Sequence, residues 1–290
     1  MGVRAMIGQA KAWFFRQHWS FVLGAVVIAA VCTLLFLTPW IAPHDPTNPN
    51  LSSRLAGPSA VYWIGTDHLG RDLMSRLLYG GRFSVTIAAM TLLLSAVMGT
   101  LIGAYCGRRG GAIDEVTMRT VDVLLSFPEV VVALFLIAIV GPGYGTLIIA
   151  MTIVGWTPFA RLARGLALEL SAKDYVAAAE ILGCSKSFIL LRHVIPNALR
   201  PITAMAFLRF GHKLITVGGL SYLGLGVQPP LSDWGAMLAD ARPYAERLPI
   251  LVLAPGIAIM LTALSVTMVG QGLEIGVDRR RGGGPRSSET

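Results

Sequence analysis

Residues 174–196 read DYVAAAEILGCSKSFILLRHVIP, a polar interlude between two apolar runs of the chain. Tyr175, Ala178, Ala179 and Leu182 fall at i, i+3, i+4 and i+7, which gives a helix with one apolar face of mostly small residues. Gly183 interrupts that helix. Ser185 is placed to cap a second one, in which Phe188, Leu191 and Ile195 share a face and Pro196 marks the end. Two short helices with a small-residue face suit insertion into a groove on another protein. An amphipathic loop lying on a bilayer is the competing reading.

Working outward, the surroundings of this stretch are those of a membrane protein. Of 290 residues, 54% are hydrophobic and only 14% charged, and the mean hydropathy is +0.65, values that few soluble domains reach. A net charge of +8 raises the question of nucleic acid. The basic residues are scattered between apolar runs with no aromatic and basic patch, so membrane topology accounts for them and a nucleic-acid partner is excluded. Cys32, Cys106 and Cys184 are far apart, without metal-like spacing, and read as free thiols.

Six apolar runs are expected to span the membrane: about 21–42, 84–106, 121–140, 146–159, 199–225 and 249–269. Residues 1–20 carry Arg4, Lys11 and Arg16 and no acid. The first run is too long for a signal-peptide core and lacks a small-x-small cleavage site, so it is expected to be a retained span. Segments 1–20 and 273–290, the latter with Arg279, Arg280 and Arg281, are the expected cytoplasmic ends, the tail's Gly- and Ser-containing end being disordered. Residues 43–82 form an external segment, and 83–272 the main membrane domain with residues 172–197 as its cytoplasmic loop. In this topology the inner segments hold sixteen Lys and Arg and the outer ones six, the bias that cytoplasmic loops carry. Pro128 is expected to kink the third span, and Glu129 beside it either faces a water-filled path or pairs with a basic residue. Gly141-Pro-Gly-Tyr-Gly145 reads as a tight external turn and not as a phosphate loop, since no Lys-Ser/Thr follows.

The spacing of Ala178-Ala179, Gly183 and Pro196 resembles the EAA coupling loop of binding-protein-dependent ABC import permeases, with Ala177 where that family usually has Glu and His193 where it usually has Ile. Gly65-Thr-Asp-His-Leu-Gly-Arg-Asp72, followed by a Leu-Leu-Tyr-Gly helix, is similar to the N-terminal signature of the peptide/nickel branch. By itself GTDHLGRD reads as an ion-paired turn leading into an interfacial helix, its two Asp and one His being weak evidence for a metal or phosphate site. LSYLGLGVQPP at 220–230 and the run from Trp234 extend the resemblance over roughly residues 42–278, the C-type permease of that branch. The resemblance implies an all-α polytopic fold with six transmembrane helices, both termini cytoplasmic, and coupling helices between the fourth and fifth spans. It implies a homologous second permease, two ATPase subunits that bind ATP and Mg, and an external solute-binding protein. It also implies that Tyr175, Ala178, Ala179, Gly183 and Pro196 form the coupling element. No G-x-x-x-x-G-K-[ST] is present, so the chain holds no P-loop, binds no cofactor of its own and is expected not to be an enzyme.

The fifth span offers the local clue to substrate. Arg209, His212 and Lys213 stand at i, i+3 and i+4, about 15 Å into a helix that starts near Leu199. Charged groups at that depth either line a path or pair with acids such as Glu129. Val217 stands where peptide permeases of the family often carry Glu, which makes nickel or a metal chelate the alternative to peptides. One imidazole, His212, is no metal site. A channel or secondary transporter is the reading from a different class, and it would make the coupling loop incidental.

Overall fold

The computed structural model describes residues 3–282, with side chains placed for residues 19–274. Among the described residues every regular element is helical, and the one β-bridge joins Thr66 to Asp72. The basic side chains expected at 1–20 and in the tail lie outside the described side chains.

Helix α1 (Val3–Ile41) contains the first apolar run as Trp19–Ile41. A long irregular segment then leads to α2 (Leu73–Arg109), whose start is fixed by Asp72: its carboxylate accepts from the Ser75 amide at 2.8 Å and the Ser75 hydroxyl at 2.7 Å. With 37 residues α2 is about 55 Å long, well beyond the roughly 30 Å of a hydrocarbon core.

Gly99, Gly103 and Gly107 make one flank of α2 bare backbone. Against it lies α6 (Thr157–Ser171), so close that a Cβ at Gly103 would sit 2.1 Å from the Ala160 carbonyl oxygen and one at Gly99 2.3 Å from that of Trp156. Small residues four apart are the usual means of close helix approach in lipid, where no hydrophobic effect drives association. With α5 (Tyr144–Gly155), α6 forms one apolar stretch, Tyr144–Ser171, interrupted by a turn at Trp156.

The third expected span is broken rather than kinked. α3 (Gly111–Ser126) and α4 (Glu129–Val140) meet at 92°. Phe127 (φ −100°, ψ 143°) is extended, the conformation that a following proline ring imposes, and Pro128 itself (φ −58°, ψ 127°) does not continue the helix.

After α7 (Asp174–Ile181), α8 (Lys186–Ile189), a π-helical turn (Leu190–Val194) and α9 (Ile195–Tyr222) follow without a gap. Pro196 therefore does not end the second short helix, as the sequence suggested. It occupies the first turn of α9, where a missing N–H costs least, and the extra residue of the π turn carries the chain past it.

α10 (Trp234–Ala241) lodges between α2, α9 and α11 (Ile250–Gly282). Asp233 caps it, accepting from the Ala236 amide at 2.8 Å and from the Ser221 hydroxyl of α9 at 2.6 Å. The Trp234 indole N–H donates to the Leu77 carbonyl of α2 at 2.8 Å. α11 continues through the expected tail as far as Gly282.

Among the described residues four helices are long and apolar enough to cross a membrane: Trp19–Ile41, Leu73–Arg109, Tyr144–Ser171 and Ile250–Glu274. The bent α3–α4 pair makes a fifth if taken as one span. The sequence reading of six included α9, which has the length at 28 residues but carries Arg200, Arg209 and Lys213.

Candidate functional site

Two features of the molecule point beyond its own packing. The first is the helix–turn–helix at 174–194. Gly183 adopts φ +81°, a left-handed conformation that breaks the run, with open space around it. Ser185 accepts from the Phe188 amide at 3.2 Å and starts α8. Val176, Ala179, Ile189 and Val194 are buried and anchor the motif to the main core. Ile181 and Leu182 are 86% and 82% exposed, with Tyr175, Phe188 and Leu191 exposed near them in the chain. His193 packs at 6.1 Å from the Tyr175 ring and 5.9 Å from that of Phe188, centroid to centroid, and so ties the two short helices together.

The expected coupling residues divide here. Ala178 and Tyr175 lie on the exposed side, Gly183 forms the turn, and Pro196 lies at the root of α9. Ala179 is buried, so its small size serves the chain's own packing.

The second feature is the charged group on α9. The Lys213 ammonium is 1% exposed and forms an ion pair with Glu129, the first residue of α4 after the break. Gly155 makes room for it: a Cβ there would fall 2.6 Å from Lys213 Nζ. A charge this deep is tolerated only when paired, and the pair staples the bent α3–α4 joint to the middle of α9. Arg209 is half-buried one turn away, and His212 is exposed on a different side of α9 from Lys213. The triplet expected to share a face is thus split. Because α9 begins at Ile195, Lys213 lies about 27 Å along it and Arg209 about 21 Å.

Separately from these two features, GTDHLGRD is the ion-paired turn that its residues suggested. Asp67 accepts from Arg71 Nε at 2.6 Å and from Arg76 at 2.5 Å, and Asp240 of α10 meets Arg76 at 3.0 Å and Arg71 at 3.7 Å. Burial alone would raise the Asp67 carboxyl, but the Arg76 and Arg71 guanidiniums outweigh it and hold the group below its ordinary value. Asp233 shows the reverse balance: burial pushes its carboxyl up in spite of the Ser221 hydroxyl.

Residues 99–279 match the family described as the binding-protein-dependent transport system inner membrane component, and residues 10–58 match the N-terminal transmembrane domain of oligopeptide transport permease C. The chain belongs to this family of permeases. The nickel transport system permease protein NikC of Escherichia coli (strain K12) is 34% identical over 266 residues, which cover 92% of this chain and 96% of NikC. The dipeptide transport system permease protein DppC of Alkalihalophilus pseudofirmus is 35% identical, covering 89% of this chain and 84% of its own. The glutathione transport system permease protein GsiD of Pectobacterium atrosepticum is 36% identical, covering 91% and 88%.

The permease is accordingly a multi-pass protein of the bacterial inner membrane and a subunit of a peptide/nickel-type ABC importer. Its relatives are transport subunits of systems that include a second permease, ATPases and a binding protein. Among the described residues no group of three or more His, Cys, Asp or Glu is arranged to hold a metal ion, and the three cysteines are free.

Three parts of the permease escaped the sequence reading: the Gly99/Gly103/Gly107 flank, Asp240 as the distant partner of Arg76, and the Arg108–Glu180 ion pair between α2 and α7. The first carried a signal, glycine at every fourth position. The other two join residues 164 and 72 positions apart and carried none.

Proposed function

We propose that this permease moves di- and oligopeptides inward across the cytoplasmic membrane. It is not an enzyme: two separate ATPase subunits bind ATP and Mg and supply the energy, a homologous second permease completes the path, and an external binding protein delivers the solute. Six spans cross the bilayer, namely the four apolar helices, the bent α3–α4 pair and α9, with both termini cytoplasmic. Residues 83–272 form the core of the permease, with 172–197 as its coupling loop.

The observation that carries this reading is the unbroken helix from Lys186 to Tyr222. Just before it, across the Gly183 turn, stands the exposed apolar tip around Ile181 and Leu182. Along its length the helix holds Lys213 against Glu129 at the α3–α4 joint. Nucleotide-driven closure of the ATPases displaces the tip, the rod carries the displacement into the bilayer, and the stapled joint turns with it. Access to a path between the two permeases then alternates by rigid-body motion. Lys213 and Glu129 act here as a structural clamp, whereas exposed His212 and half-buried Arg209 are the residues left to face the path.

The similarity to NikC over nearly its whole length supports nickel or a nickel chelate as a second reading. ATP hydrolysis by the co-purified complex in liposomes, with the binding protein loaded in turn with peptides, nickel ion and nickel chelates, distinguishes the two. Stimulation by peptides alone is expected. Stimulation only by metal or chelate transfers the permease to the second reading, and uptake without ATP overturns both.

A further inference from the structure

At the end of α2 opposite the GTDHLGRD turn, a cavity of about 360 Å³ is lined by Tyr105, Arg108, Arg109, Lys186, Ser187 and Leu190. Three of the six are cations and none is an acid. Glu180 pairs with Arg108 from outside the lining, which leaves Arg109 and Lys186 without a carboxylate partner among the ion pairs of the described residues. The Arg109 guanidinium lies 5.7 Å from the Tyr105 ring centroid and donates to its hydroxyl, both side chains being exposed at the cavity. Arg108 Nε is buried and has no hydrogen-bond partner, a donor withdrawn from water beside this cavity.

The cavity sits where a span of apolar residues ends in Arg108 and Arg109, on the side of the coupling segment. On α8 and the π turn, Lys186 and Leu190 face away from Phe188, while Ser187 lies one turn before Leu191; the most exposed apolar residues of the tip, Ile181 and Leu182, are outside the lining of the cavity. Two guanidiniums, an ammonium and a hydroxyl suit a phosphate group, and exposed Leu101 one turn up α2 from Tyr105 together with Leu190 offers apolar surface beside it. We infer that this cavity binds the phosphate headgroup of an anionic phospholipid from the leaflet on the coupling-loop side, bracing the end of α2 against α8. Lys and Arg near an anionic leaflet gain from its surface potential, whereas a free phosphate ion gains nothing from the adjacent apolar surface.

The inference rests on the sidedness proposed above but not on transport, so it is tested by binding. The full-length permease is purified in detergent, exchanged with phosphatidylglycerol or phosphatidylcholine, and the retained lipid is counted by native mass spectrometry. Retention of phosphatidylglycerol over phosphatidylcholine is expected. Arg109→Gln with Lys186→Gln should weaken that retention by about fivefold per charge removed, roughly 25-fold together, while Arg119→Gln, an exposed charge elsewhere, should leave it unchanged. Equal retention of the two lipids, full retention in the double variant, or an equal loss in Arg119→Gln overturns the site. Displacement of the lipid by inorganic phosphate overturns the lipid as its ligand and assigns the cavity to a soluble anion. Thermal unfolding of the double variant identifies a loss of retention caused by misfolding, in which case Arg109→Lys, which keeps the charge, must retain the lipid.

Discussion

The two ends of the permease handle side chains that do not suit their surroundings in opposite ways. At the GTDHLGRD end, charges that would be costly when buried are answered within the chain: Asp67 by Arg71 and Arg76, and Arg76 again by Asp240. At the coupling end, apolar side chains that would gain from burial are left in the open, Ile181 and Leu182 above all. The charges of the first region are answered from within, apart from Asp72 Oδ1 and Arg76 Nε, which are buried without a hydrogen-bond partner, and the second region is left for something else to finish. A self-satisfied knot fixes geometry, whereas an unsatisfied surface marks where force or a partner arrives.

If the knot is self-sufficient, breaking it should have the largest effect on the stability of the isolated permease. Asp67→Asn leaves two buried guanidiniums facing a neutral amide, and the loss expected is about 3–5 kcal/mol, read as a fall in thermal unfolding temperature in detergent. pH sharpens the test. The Asp67 carboxyl is held below its ordinary value, so its contribution is complete above about pH 4 and is lost as pH falls through the lower, folded value. The gap between the parent and Asp67→Asn should therefore shrink on acidification. Asp233 has a raised value, so its contribution is present below about pH 4 and drains away as pH rises through the folded value. Asp233→Asn should then gain on the parent as pH rises, the opposite trend. Parallel trends in the two variants would mean that the ion pairs do not hold the knot together.

A smaller effect is expected at the hinge of the coupling end. Gly183 sits at φ +81° with nothing within 4 Å of where a Cβ would stand, so Gly183→Ala meets backbone strain and no clash. The cost expected is about 1 kcal/mol, measured by the same unfolding experiment. A loss several times larger would mean that the turn is packed against the core and belongs with the knot.

What the sequence revealed and what it hid follow the same division. Local rules were enough wherever a feature closes within a few residues: Ser185 capping α8, Gly183 breaking the run, Asp67 beside Arg71 four positions on. They failed where closure needs a distant residue. Pro196 looked like a stop because the π turn that carries the chain through it is a tertiary adjustment with no residue signature. The spacing of Arg209, His212 and Lys213 implied a shared face, but spacing does not say which charge finds a partner: Lys213 forms the buried ion pair with Glu129, Arg209 is half-buried and His212 stays exposed. Ala179 is 8% exposed and packs in the permease's own core, a placement that spacing did not reveal. For that reason Ala179→Trp is a poor probe of coupling, since it disturbs folding first.

Leu182 is the cleaner probe, and on the isolated permease its effect should be the smallest of the three. The side chain is 82% exposed and makes no contact that folding needs, so Leu182→Asp should change stability by no more than about 0.5 kcal/mol. In the assembled transporter the same residue is proposed to be buried against an ATPase. Losing a buried leucine is worth about 2 kcal/mol, roughly a thirtyfold weaker hold on that subunit, before the added cost of burying a carboxylate. The variant should therefore unfold like its parent when alone yet fail to retain the ATPases on co-purification. A variant that keeps both its stability and its ATPases would mean that the exposed tip is not where the drive enters, and the contrast between a finished end and an unfinished one would lose its mechanical meaning.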